Sequence, residues 1–309
     1  MKSIEKTNAV SGEPDQSSLE GQMSCQLIEN SLGESAGRSF KSSVSGQALP
    51  RDLRVSWSWP HFALFLSFCL LSRSSVRFGA TLLVRSLVPH SHLTPEEFRV
   101  MSASRPEIAV GINLAWYALV FLFLYATLSN LRGSSFWPSL GWRNSLPTHS
   151  FLANPWICFF SGCCLATCIA FFNARFHTSG AVTSPATENR LSALLFAGMA
   201  LFVAPVVEET VFRGYLYPLL ARSFGVRSGI VLTGISFGMI HGRRLDWDWF
   251  GVSLLAVVGL ILTFARAKTG TVLSSFCVHL GYNSVLVFAS IFATQGFTQF
   301  PPRLSGFGW

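Results

Sequence analysis

Two adjacent carboxylates, Glu208 and Glu209, follow the apolar stretch 201–207 and precede Thr210-Val211-Phe212. An ionisable side chain inside a membrane helix costs about 2.5–3.5 kcal/mol on insertion scales, so it marks function by default. Arg213 comes four residues after Glu209, on the same helix face and within ion-pair reach. Glu208 points about 100° away from Glu209. The pair can therefore divide roles, with one carboxylate anchored by Arg213 and the other free for chemistry. The alternative is that both sit at a span end, where they cap or pair. His241 closes a second apolar run, four residues after Phe237; its plainer reading is an interfacial hydrogen bond. His279 and Asn283 share one face of a third run, where the plainer reading is interhelical hydrogen bonding worth about 0.6–2 kcal/mol. Two imidazoles and a carboxylate are a common ligand set for catalytic zinc, which keeps one position open for water. A nearby Glu would serve as general base, and metal-bound water reaches a pKa of about 7. The spacing does not say which Glu is the base, nor does it separate a metal site from a glutamate-activated water. There is no GxSxG, Walker loop or HExxH.

The elements that carry these residues belong in a membrane. The chain has 309 residues, of which 12% are charged and 50% hydrophobic, with a mean hydropathy of +0.43. A soluble domain averages roughly 25% charged. The net charge is +8, but no Lys/Arg stripe forms, so nucleic acid is not an expected partner. A bilayer crossing takes about 20 apolar residues. Suitable runs lie at 57–72, 108–128, 155–172, 191–207, 226–241, 249–265 and 271–293. The run 76–89 carries Arg77 and Arg85 and reads as a surface helix or half of a re-entrant hairpin. This predicts an all-α polytopic bundle of about seven to eight spans, because backbone groups in lipid must be satisfied internally. The alternating strands of a barrel are absent. Trp57, Trp59, Trp247 and Trp249 are placed like interfacial anchors. Gly234-x-x-x-Gly238 predicts a close helix crossing. Cys158, Cys163, Cys164 and Cys168 lie in one apolar run without zinc-finger spacing and read as small buried side chains. His61, His90, His92, His149 and His177 fall in or beside predicted loops. Basic residues divide nearly evenly between the two sides, so orientation is not readable.

The expected domains are a disordered, polar N-terminal tail at 1–54, N-terminal transmembrane helices and loops at 55–150, and a catalytic transmembrane core at 151–300. No cleavable signal peptide is expected, since the first apolar run begins near Trp57.

The ordered motifs Glu208-Glu-x-x-x-Arg213, Phe237-x-x-x-His241 and His279-x-x-x-Asn283 resemble the CPBP family. That family comprises the type II CAAX prenyl endopeptidases and the bacterial bacteriocin-processing or self-immunity proteins. The resemblance covers about residues 190–293. It implies an intramembrane metalloendopeptidase acting on a peptide or protein substrate, prenylated in some relatives. Glu208 would be the general base, Glu209 and Arg213 would complete the first motif with Arg213 orienting a carboxylate, and Phe237 would pack beside its neighbours. His241 and His279 would hold a metal or the water, and Asn283 would be the oxyanion donor. Zn2+ or another divalent metal would sit on His241, His279 and Glu208. The implied location is a membrane, the plasma membrane in a bacterium. The competing classes are a non-enzymatic immunity or scaffold protein, which Glu208→Gln would leave working, and a transporter, which would show pH-dependent flux. The transporter reading has no internal repeat to support it.

Overall fold

The computed structural model describes residues 55–87, 105–132, 135–143, 154–176 and 190–299, with isolated positions 50, 53, 94, 97 and 98. Residues 1–49, His90, His92, His149 and His177 lie outside the described residues. Among the described residues eight helices follow one another: α1 (Trp59–Leu87), α2 (Pro106–Arg132), the short α3 (Phe136–Ser139), α4 (Pro155–Phe176), α5 (residues 190–224), α6 (Val226–His241), α7 (Trp249–Thr269) and α8 (Val272–Ala293). No strand occurs among the described residues.

Six of these helices, α1, α2, α4, α5, α7 and α8, are long and apolar enough to cross a membrane. The chain is a multi-pass integral membrane protein. The span pattern departs from expectation in three places. Residues 57–72 and 76–89 are not separate pieces but lie in one 29-residue helix, α1. Nothing between them breaks a helix: Ser74 and Ser75 bond back to the Leu70 and Leu71 carbonyls. The charge of Arg73 is absorbed by Asn113 Oδ1 at 2.8 Å and by the Trp116 ring at 4.9 Å. Residues 226–241 do form a helix, but its 16 residues rise only about 24 Å, short of a full span. The run 191–207 continues through both glutamates to Phe224, a span of 35 residues. Glu208 and Glu209 thus lie mid-helix rather than at a span end.

Helix α5 keeps going past two prolines by changing pitch. Residues Met199–Val203 and Thr210–Leu216 are π-helical and flank the α-helical turn Ala204–Glu209. A proline removes one backbone donor, and local π adjustments are a way to re-satisfy the freed groups in a membrane helix.

The crossing of α6 and α7 is built from glycine. A Cβ on Gly238 would meet the Val252 carbonyl at 2.6 Å, and one on Gly259 would meet Gly234 O at 2.8 Å. The predicted Gly234-x-x-x-Gly238 face is therefore the contact face. One core joins Val55, Trp57, Phe65, Leu124, Leu140, Tyr215 and Leu219, so residues on both sides of position 150 pack together. Trp57 is a member of that core rather than an interfacial anchor. It is 1% exposed and donates its indole N–H to Tyr215 O, while Arg222 holds the Val55 and Trp57 carbonyls, each at 2.9 Å. Leu53, counted with the tail by composition, is buried as well. His61 lies within α1, where Nδ1 meets the Tyr215 hydroxyl at 2.6 Å. Of the α4 cysteines, Cys158 is buried, but Cys164 and Cys168 face outward.

Candidate active site

The carboxylates sit on the α-helical turn between the two π segments, and their 100° offset sends them into different surroundings. Glu209 is fully buried. Its Oε1 accepts from Arg213 Nη1 at 2.9 Å and from His279 Nδ1 at 3.0 Å. Arg213 is equally buried, and its other donors go to a different helix. Nη2 donates to Gly259 O at 3.0 Å, and Nε donates to Thr263 Oγ1 at 3.3 Å. The Phe237 ring lies 4.6 Å from the guanidinium. A buried charge needs this degree of satisfaction, because an isolated one would cost far more than the pairing returns.

Glu208 keeps some exposure, 16% of its side chain, as does His241. Its Oε1 faces His241 Nε2 at 3.9 Å and its Oε2 faces His279 Nε2 at 3.8 Å. Both imidazoles have the other nitrogen committed. His241 Nδ1 is 2.7 Å from Phe237 O, and His279 Nδ1 is bonded to Glu209. A carbonyl and a carboxylate only accept, so each Nδ1 carries the proton. In the neutral ring each Nε2 is then a lone pair aimed at Glu208. Phe237 stands between the rings, 4.9 Å from His241 and edge-on to His279 at 5.9 Å.

The donor set is of the right chemistry for a divalent metal, including the outer partners that fix histidine ligands. Its spacing is more open than closed coordination. Tetrahedral zinc, with metal–ligand distances of about 2.0–2.1 Å, would set neighbouring donors roughly 3.3 Å apart. Among the described residues no group of three or more His, Cys, Asp or Glu side chains stands ready to hold a metal ion.

Asn283 is engaged differently. Its Nδ2 donates to Ala200 O at 2.8 Å, and the reason lies in the π register. The Ala204 N–H reaches Met199 O, five residues back. The next donor in that register would be residue 205, reaching Ala200 O, but residue 205 is proline and has no N–H. Asn283 supplies the missing hydrogen from α8.

Five of the six expected site residues, Glu208, Glu209, Arg213, His241 and His279, form one contiguous cluster, and Asn283 braces the helix that carries three of them. Sequence reading missed Thr263 and Gly259. Their signal was available as a hydroxyl and a glycine four residues apart in an apolar run, though nothing local links them to Arg213. The exposed Arg243 and Arg244 flank His241 on a 3-10 turn (Gly242–Leu245).

No curated protein and no solved structure matches the chain. A family model does, over the segment that holds every one of these residues. Residues 190–285 match the type II CAAX prenyl endopeptidase Rce1-like family, a likeness that supports a CAAX-type intramembrane protease at the level of the family.

Proposed function

We propose that this chain is an intramembrane endopeptidase in which Glu208 activates water for attack on a peptide bond. The observation that carries the reading is the meeting of two imidazole Nε2 atoms with one carboxylate across 3.8–3.9 Å. Acceptors facing acceptors call for a proton-bearing or cationic species between them, and water is the reactant the chemistry needs. Glu208 takes one proton from that water while the oxygen bonds to the scissile carbonyl carbon. The resulting oxyanion is met by an N–H. The Asn283 carboxamide has two donors, one of them free of the Ala200 bond. When the C–N bond breaks, Glu208 returns the proton to the leaving amine. A positioned general base contributes typically about 10²–10⁴-fold.

Glu209 is the orienting carboxylate. It fixes His279 through Nδ1 as the buried Asp does in a Ser-His-Asp triad, and it is held in turn by Arg213, whose Nε is bonded to Thr263. A divalent metal held by His241, His279 and Glu208 would supply Lewis acidity and lower the pKa of bound water. The substrate class is a peptide or protein reached from the bilayer. Prenylated C-terminal peptides are the first to try, because the matched family is described by that activity.

The test is cleavage of prenylated and unprenylated fluorogenic peptides by purified protein in nanodiscs, for wild type, Glu208→Gln and His241→Ala, each with and without chelator and added zinc. Hydrolysis by wild type and its loss by at least about a hundredfold in Glu208→Gln are expected. Equal cleavage by all three proteins would sink the assignment.

A further inference from the structure

A second feature lies beside the catalytic cluster and is not used by it. A cavity of about 790 Å3 is lined by Trp137, Trp142, Arg143, Val206, Leu273 and Phe276, together with Pro138. That size falls in the range of roughly 300–1,000 Å3 typical of small-ligand sites. Its walls are aromatic and aliphatic. Trp142 is 6.1 Å from Trp137 and 5.6 Å from Phe276, ring to ring, and Trp137 is 47% exposed. The charge at its rim is Arg143, which is exposed and whose guanidinium has no acidic partner among the described residues.

The cavity's depth in the bilayer follows from its attachments. The segment around Arg143 is tied to the first turn of α8: Val272 N–H donates to Gly141 O at 2.9 Å, and Thr271 Oγ1 bonds the Gly141 and Arg143 carbonyls at 3.2 and 3.0 Å. Thr271 caps α8, so Arg143 stands at a span end, where headgroups lie. Phe276 is about 6 Å further along that helix, and Val206 is near the middle of α5. The cavity thus descends from a cation at the membrane edge to apolar side chains at hydrocarbon depth.

We propose that this groove binds one anionic bilayer phospholipid, with its phosphate on Arg143 and an acyl chain along Trp137, Trp142, Phe276 and Val206. Guanidinium suits phosphate by its planar fork of donors, and basic pockets between transmembrane helices are a recurrent way to hold anionic headgroups. A zwitterionic lipid fits less well, since its own ammonium competes for the phosphate. The site communicates with the catalytic helix. Trp142 Nε1 donates to Thr210 Oγ1 at 3.1 Å, and Thr210 is the residue next to Glu209. Val206 and Phe276 each precede a site residue, Glu209 and His279, by three positions. A bound lipid therefore braces the walls that position the cluster. The proposal does not depend on the peptidase reading, and its test measures no hydrolysis.

The full chain, purified in dodecyl maltoside, is incubated with phosphatidylglycerol, phosphatidylcholine or inorganic phosphate, and retained lipid is counted by native mass spectrometry. Wild type should retain phosphatidylglycerol over phosphatidylcholine by about fivefold, the worth of one arginine near an anionic headgroup. Arg143→Gln should lose that preference, Arg143→Lys should keep most of it, and Trp137→Ala should retain less of both lipids. Ligand binding to the folded state also raises the melting temperature, so phosphatidylglycerol should stabilise wild type and not Arg143→Gln. Unchanged preference in Arg143→Gln would overturn the proposal, as would an equal thermal shift with inorganic phosphate alone. Displacement of the bound lipid by the prenylated fluorogenic peptide would assign the groove to a peptide ligand and overturn it too.

Discussion

The bond from Asn283 to Ala200 makes a quantitative claim, because it fills a gap left by one named residue. If Pro205 is the reason Ala200 O lacks a backbone donor, Asn283→Ala should be costly only while Pro205 is present. The bond is neutral, 2.8 Å long, and joins α8 to α5. A hydrogen bond of this kind contributes about 0.5–1.5 kcal/mol net, and an orphaned buried acceptor costs about 1–3 kcal/mol. Interhelical bonds within membranes average about 0.6 kcal/mol, with a maximum near 1.7. Ala200 is only half-buried, so the expected cost of Asn283→Ala is about 1–1.5 kcal/mol. Pro205→Ala restores an N–H that can reach Ala200 O. In the double variant the cost of losing Asn283 should fall below about 0.5 kcal/mol, leaving a coupling energy near 1 kcal/mol, within the range for residues in contact. The assay is reversible unfolding of the four proteins in mixed micelles by SDS titration. The same set reports on chemistry. An oxyanion donor is worth about 10²–10³ in turnover, so activity should remain low in Pro205→Ala/Asn283→Ala even after stability returns. Additive stability effects would refute the π-register explanation. Full recovery of turnover in the double variant would reduce Asn283 to a brace.

Three other perturbations follow from the geometry. Arg213→Met leaves Glu209 charged, buried and short of its strongest partner, and should destabilise by about 3–5 kcal/mol; adding Glu209→Gln should recover part of that loss in the same unfolding assay, and no difference between Arg213→Met and wild type would contradict the buried pair. Thr263→Val removes the acceptor for Arg213 Nε and the hydroxyl's own bond to Gly259 O and should lower kcat severalfold with KM little changed, with Thr263→Ser restoring it; an unchanged kcat would show that Arg213 needs no support from the Thr263 hydroxyl of α7. Gly281→Ala would drive a methyl onto the Phe159 carbonyl of α4 and should lower thermal stability markedly, whereas Gly198→Ala, with open space around it, should be neutral or slightly stabilising through the better helix propensity of Ala.

Much of the site was legible because its signals are local. Polar residues in apolar runs stand out individually, and the i, i+4 pairs Glu209–Arg213, Phe237–His241 and His279–Asn283 each occupy one helix face regardless of tertiary structure. The separate fates of Glu208 and Glu209 were legible only as a 100° offset. Which one is buried depends on α7 and α8, whose contributions at Gly259, Thr263 and His279 lie 46–70 residues away in sequence. The role of Asn283 at Ala200 was hidden for the same reason, since it requires a π register that composition does not reveal. The span pattern misled at Arg73 because a charge in an apolar run reads as a boundary. Asn113 and Trp116 of α2 satisfy that charge and let α1 continue through it.

The two π segments of α5 have a consequence for how this helix tolerates length changes. A π turn holds one more residue than an α turn, and each residue turns the helix by about 100°. Helix α5 is therefore three rods out of phase with one another: Arg190–Gly198, the turn bearing the glutamates, and Tyr217–Phe224, which is locked to the N-terminal segment through Arg222. Removing one residue from Met199–Val203 or from Thr210–Leu216 need not break the helix, since it can close up as ordinary α-helix. It would instead turn the glutamate-bearing rod relative to one of its neighbours by about a quarter of a revolution. Glu208 would leave the two imidazoles, or Glu209 would leave Arg213, while the helix stayed intact. For α5, the length of each loosely wound turn is as much a determinant of the site as the identity of its acids.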